Sequence, residues 1–233
     1  MEVIEAIYTR RSIRKYVDIP VEWEIVGRIV EAGTFAPTAG NLQEFRFVVV
    51  TDEAKKKALA EACLQQYWME QAPVMIVACA ELKRPKQFYG LRGERLYTIQ
   101  NVAAACQNML LAGHSYGLGG CWVGAFDEVA IKRILNMPEY ARPHAVLTFG
   151  YPDEVVPMPQ KYKIENLTYL QRYHNRIRNI HTVLGEYSPN IAKGVAAAKH
   201  AIDKHAVKFV DKIKHKFAEI KEGIKSRHGK YKH

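Results

Sequence analysis

The run from Thr98 to Tyr116 constrains the fold most, because Ile99, Val102, Ala103, Cys106, Leu110 and Gly113 recur in it at helical spacing. Its many Ala and Gly residues permit close backbone approach, which predicts a central helix packed in the core or at a subunit contact. The helix leads straight into Gly117-Leu118-Gly119-Gly120-Cys121-Trp122-Val123-Gly124-Ala125. That order excludes a dinucleotide-binding fingerprint, in which a strand precedes the glycines and a helix follows them. The glycines either bring backbone close to a flat ligand or turn a tight corner from helix to strand.

Around this centre the pattern alternates between helices and buried strands. Glu2 to Thr9 reads as a short helix with Val3, Ile4 and Ile7 inward, and Pro20 opens a second helix that buries Ile25, Val26, Ile29 and Val30 and ends on Gly33. Residues 52–66 read as an exposed helix begun by Thr51, and Asp127 caps another that runs to Leu135. Phe45 to Val50, Val74 to Ala80 and Ala145 to Phe149 read as strands. No period fits Leu82 to Tyr97, which is either a mobile loop over a pocket or a plain surface connection.

With 233 residues, 48% of them apolar and 25% charged, the chain can bury a full core. No apolar run reaches membrane length, and the amphipathic start has no signal-peptide core, so a cytoplasmic globular protein is expected. Cys63, Cys79, Cys106 and Cys121 form no CxxC pair and read as buried free thiols; the histidines lack metal-binding spacing.

Chemistry concentrates in two places. Arg10-Arg11-Ser12-Ile13-Arg14-Lys15-Tyr16 gathers three guanidiniums and a hydroxyl, which suits a phosphate or else forms a solvated basic turn. Ala36-Pro37-Thr38-Ala39-Gly40-Asn41-Leu42-Gln43 is a loop whose amides and hydroxyl suit the edge of a heterocycle, or an ordinary turn. Lys161 and Lys163, after two prolines, either add charge for an anion or are simply solvated.

Taken in order, RRSIRKY at 10–16, APTAGNLQ at 36–43, QYWMEQAP at 66–73, GLGGCWVG at 117–124 and FGYP at 149–152 resemble the nitroreductase family of flavin mononucleotide (FMN) enzymes. The resemblance covers residues 1 to about 175. It implies an α+β fold with a central, mostly antiparallel sheet between helices, and an intertwined homodimer with FMN at the subunit interface. It implies that Arg10, Arg11 and Ser12 hold the FMN phosphate, joined by Lys161 and Lys163, while Arg14 lies near the pyrimidine edge and ribityl chain. Pro37, Thr38, Ala39 and Asn41 come from the other subunit with Gln43 close by, Val123, Gly124 and Ala125 line the ring near N5, and Gln66 is a further candidate for the ring edge. Tyr67, Trp68, Phe88 and Tyr89 are candidates for an acceptor pocket. Glu44 and Phe45 replace a frequent Pro-Trp, which bears on the shape of that pocket. The implied activity is ping-pong transfer of hydride from NADH or NADPH, through flavin N5, to an electron-poor acceptor such as a nitroaromatic or quinone. Other flavin reactions, including dehalogenation or heterocycle oxidation, fit the same fold.

The domain division expected is an FMN-binding unit over 1–180 and a basic amphipathic helical extension over 181–233. The extension holds 12 Lys and Arg against 5 Asp and Glu, with Ile191, Val195, Ala198, Ile202, Val210, Ile213, Phe217, Ile220 and Ile224 in a helical stripe. Such a helix packs on its own dimer, which is the favoured reading, or lies on an anionic membrane or partner in a binding or scaffold protein. No aromatic-interleaved motif accompanies the charge, which argues against nucleic acid.

Overall fold

The computed structural model describes residues 1–177. The extension expected over 181–233, with its membrane and partner readings, lies outside them. The described residues divide into two compact units, one comprising Arg10–Met158 and the other Glu2–Thr9 with the described residues from Pro159.

In the second unit, α1 (Val3–Thr9) forms where expected but buries Ala6 and Thr9, leaving Val3, Ile4 and Ile7 exposed. Periodicity marks an apolar stripe on a helix without saying what covers it, and among the described residues this stripe stands open.

The first unit is built on one antiparallel sheet in the order β1-β2-β4-β3, with β1 at Phe45–Val50, β2 at Val74–Glu81, β3 at Gly119–Val123 and β4 at Ala141–Gly150. Strand side chains alternate between faces, and β2 shows the consequence. Val74, Ile76, Ala78 and Ala80 join one buried cluster, while Met75, Val77 and Cys79 join another. The first cluster is closed by α2 (Trp23–Thr34) and α5 (Thr98–Ser115), through Val26, Ile29, Val102, Met109 and Leu110. The second is closed by α3 (Glu53–Ala62) and α6 (Glu128–Ile134), through Leu59, Cys63 and Ile131. The fold is therefore α+β, a mixed sheet-and-helix sandwich with the central antiparallel sheet expected.

Several local expectations are corrected. Helix α2 begins at Trp23 rather than at Pro20, and Gly33 lies inside it. A Cβ at Gly33 would stand 2.9 Å from Met109 Cγ, so this glycine serves the close approach of α2 to α5 rather than a C-cap. Helix α3 is started by Asp52, whose carboxylate accepts the Lys55 N–H at 2.9 Å, and it is not an exposed helix. One face is buried through Leu59, Ala60 and Ala62, and Lys56 is tolerated on it because its ammonium donates to the carbonyls of Glu70 at 3.2 Å and Ala72 at 3.0 Å and pairs with Glu53 at 2.9 Å. The stretch 82–97 is helical: α4 (Lys83–Arg92) breaks at Gly90 (φ 58°, ψ −146°) and passes through a wide turn, Gly93–Tyr97, into α5. Only Pro85 is buried along α4, so the sequence carries no apolar stripe there.

Candidate functional site

The basic stretch is stitched into the sheet rather than left as a free turn. Ser12 pairs in parallel with Gly120 of β3, and the Ile13 N–H donates to the Gly120 carbonyl at 3.1 Å. A Cβ at Gly119 would lie 2.7 Å from Ile13 Cβ and one at Gly120 3.0 Å from Leu110 Cδ2, so these glycines make the corner that admits the stretch. Gly124 and Ala125, just beyond β3, are exposed, while Val123 is buried in the core. Strand β3 thus carries the anchor of the basic stretch at one end and the open loop at the other, with about 10 Å of extended chain from Gly120 to Val123.

A buried hydrogen-bond chain lies beneath. The Tyr16 hydroxyl donates to the Ile13 carbonyl at 2.5 Å and shares a 2.7 Å bond with the Thr148 hydroxyl, which in turn lies 3.5 Å from the Cys121 carbonyl oxygen. Burial raises the Tyr16 phenol well above its ordinary value, so it remains a hydroxyl and a donor. The Cys121 thiol donates to the Trp122 carbonyl at 3.8 Å, and burial raises its pKa against the pull of Arg14 and Ser12. Glu154 completes the frame, its Oε1 accepting the Arg14 N–H at 2.6 Å and the Lys15 N–H at 3.1 Å.

Two guanidiniums stand next to each other in this stretch. Arg11 is half-buried and donates to the Arg10 carbonyl at 2.8 Å; burial first, then the neighbouring Arg10 charge, lower its pKa. Like charges held side by side at a partly desolvated position raise the local positive potential. Arg14 is exposed, with its guanidinium carbon 5.8 Å from the Trp68 ring centroid.

The second group of candidates is the loop 36–43, which contains a short turn at Ala39–Asn41. Gly40, Asn41 and Gln43 are left-handed, with φ of 57°, 52° and 50°. The Thr38 hydroxyl accepts the Gln43 N–H at 3.2 Å, and the exposed Gln43 amide donates to Asn41 Oδ1 at 2.8 Å. From α4, Arg84 donates to the Leu42 carbonyl at 3.4 Å, and the Tyr89 hydroxyl lies against Gly40. Tyr89 also meets Tyr97 edge-on at 5.3 Å. Pro37 and Phe88 are exposed, and Ala39 is half-buried.

Three aromatic and amide candidates have other employment. The Gln66 amide donates to the Cys63 carbonyl at 2.8 Å, closing the end of α3, and the Tyr67 hydroxyl donates to Glu61 at 2.5 Å. Trp68 packs against the buried cluster of Ile13, Tyr16 and Ala72, making it a floor for the basic stretch. Lys161 and Lys163 are exposed residues of the second unit, with Lys163 preceding α7 (Ile164–Leu167).

The model of the nitroreductase family matches residues 7–68 and 62–151. The chain belongs to the nitroreductase family. A Thermus thermophilus protein named NADH dehydrogenase is 36% identical over 176 residues, covering 64% of this chain and 86% of that one. A Bacillus subtilis protein named FMN reductase [NAD(P)H] is 29% identical over 188 residues, covering 75% and 76%. A solved structure from Clostridium difficile R20291, titled FMN-dependent nitroreductase, superposes with a TM-score of 0.60 at 26% identity, covering 75% of this chain and 99% of that one.

In this nitroreductase family member, sequence reasoning missed Thr148, Glu154 and Asn101 in the frame behind the candidates, and named Tyr16 and Glu44 without this supporting role. The available signals were polar residues in apolar company. Thr148 interrupts a buried strand, and Asn101 sits on the buried face of α5 between Thr98 and Ala105.

Proposed function

We propose that this chain is an FMN-dependent NAD(P)H oxidoreductase that reduces electron-poor acceptors such as quinones or nitroaromatics and works as a homodimer. The observation that carries the reading is the Arg10–Arg14 stretch fixed to β3, with the adjacent positive charges of Arg10 and Arg11 at one end of the strand and the exposed Gly124–Ala125 backbone at the other. These residues fit a ring joined to a phosphate by a short polar chain.

Bound FMN supplies the redox chemistry, taking two electrons from NADH or NADPH and giving them to the acceptor. Everything else falls to this chain's residues. Arg10, Arg11 and Ser12 hold the phosphate. Arg14 brings positive charge to the pyrimidine edge, where it favours the reduced ring. Gly124 and Ala125 present backbone near N5. Thr38, Asn41 and Gln43 of a second copy close the other side, which accords with the two candidate groups being organised around different elements, β3 and α5. The exposed stripe Val3, Ile4 and Ile7 also accords with a subunit contact. Phe88 and Tyr89 are candidates for the position that donor and acceptor use in turn.

Initial rates with NADPH and a quinone varied together test this reading. Parallel double-reciprocal lines, in the presence of FMN, are expected for a shared position used alternately. Intersecting lines would contradict alternation, and absence of turnover with either nicotinamide would contradict the activity.

A further inference from the structure

The loop 36–43 holds three residues in left-handed conformations, two of them non-glycine, at a cost on the order of 1 kcal/mol for each of those two. Such a backbone persists only where its surroundings over-determine it. One support runs inward. The Ala39 N–H donates to Asn101 Oδ1 at 3.3 Å, and Asn101 Nδ2 donates to Glu44 Oε1 at 2.6 Å. Glu44 is 2% exposed and Asn101 7%. The Glu44 main-chain carbonyl accepts the Glu81 N–H at 2.9 Å, which anchors the Glu44 backbone to the end of β2. Its second oxygen, Oε2, is buried and has no hydrogen-bond partner among the described residues.

We propose that Glu44 and Asn101 form a positioning relay that sets the geometry of the 36–43 loop for the flavin ring; this rests on the function proposed above. A carboxylate only accepts, whereas a primary amide has one donating and one accepting end. The buried Glu44 carboxylate therefore dictates which way the Asn101 amide faces, turning its NH2 inward and its oxygen toward the Ala39 N–H. The short 2.6 Å bond makes this orientation costly to reverse, because a turned amide would set its oxygen against Glu44 Oε1 and its NH2 against the Ala39 N–H. Asn41 and Gln43 belong to the backbone that this relay pins. Neither relay residue needs to touch the ring.

The relay has a polarity, and reversing it is the test. Asn101→Asp sets a second carboxylate against Glu44, two like charges in a buried site. Glu44→Gln with Asn101→Asp restores closure with the polarity inverted: the amide introduced at position 44 donates to one oxygen of the carboxylate introduced at position 101, while the other still accepts the Ala39 N–H. FMN and riboflavin affinities are read from quenching of flavin fluorescence, and folding from the melting temperature. Asn101→Asp is expected to weaken both flavins by a similar factor, about tenfold or more, because the loop serves the ring and not the phosphate. The double variant is expected to recover to within about threefold of Glu44→Gln alone. Native-like binding by Asn101→Asp in a folded protein, or a double variant no better than it, overturns the relay. A native chain that binds neither flavin would instead overturn the proposed function. In that event hydrogen exchange at the Ala39 amide still decides the relay: protection in the native and double variants and its loss in Asn101→Asp support it, and equal protection in all three refutes it.

Discussion

Arg10 and Arg11 are the residues on which the cofactor reading bears most directly, and they can be separated from the ring-binding groups by ligand choice. Replacing Arg11 by Ala removes a charge-assisted contact to phosphate, of the order of 1.5–3 kcal/mol. FMN affinity is expected to fall roughly 10- to 100-fold while riboflavin affinity, measured the same way, barely changes. A different kind of residue effect is expected at His144. Burial first, then Arg142, push its imidazole down to about 4, against the opposing pull of Glu128. The imidazole is thus neutral in the fold while the unfolded chain takes up a proton near about 6.5. Its contribution to stability is complete above about pH 6.5 and is lost as pH falls from there toward 4. After discounting for partial exposure the loss by about pH 5 is about 1–2 kcal/mol. Urea unfolding at about pH 7 and pH 5 should show that loss shrinking in His144→Gln, and an unchanged pH dependence would refute it.

At the scale of elements, the segment 12–16 depends on the Tyr16–Thr148 bond for its seat on β3 and β4. Tyr16→Phe leaves the Thr148 hydroxyl and Ile13 carbonyl short of a partner and should cost about 1–3 kcal/mol in denaturant unfolding. FMN affinity should fall with it, since Ile13 separates the phosphate candidate Ser12 from Arg14. A variant as stable as the native protein would mean that backbone pairing with Gly120 alone holds the stretch. The elements differ in how openly the sequence declares them. Helix α5 and the strands β1 and β2 were legible because of their helical stripe and their short, β-branched apolar runs. Helix α4 was not, since a helix that buries only Pro85 leaves no stripe to detect. Helix α3 misled for another reason: Lys56 looks like a solvent residue until the carbonyls of Glu70 and Ala72 and the Glu53 carboxylate surround it. The charged and polar site candidates were visible as clusters of residue type. Their frame was not, because Thr148, Glu154, Glu44 and Asn101 acquire partners only through contacts distant in sequence, such as the one joining Arg14 to Glu154.

For the whole molecule, the four cysteines report on packing. All are buried and free, and burial pushes Cys63, Cys79 and Cys106 up to about 12. A native sample should resist alkylation at neutral pH and expose all four thiols on unfolding; fast reaction of the native protein would show that its core opens. The same whole-molecule scale carries the central claim, which is that this nitroreductase family member binds FMN and takes electrons from NAD(P)H. The most direct measurement is the visible absorbance spectrum of the purified, FMN-reconstituted protein, recorded anaerobically before and after NADH or NADPH. The account predicts bound flavin bands that bleach with at least one donor and return on adding a quinone or nitroaromatic. Protein that retains no FMN, or whose bound flavin neither donor reduces, would contradict it.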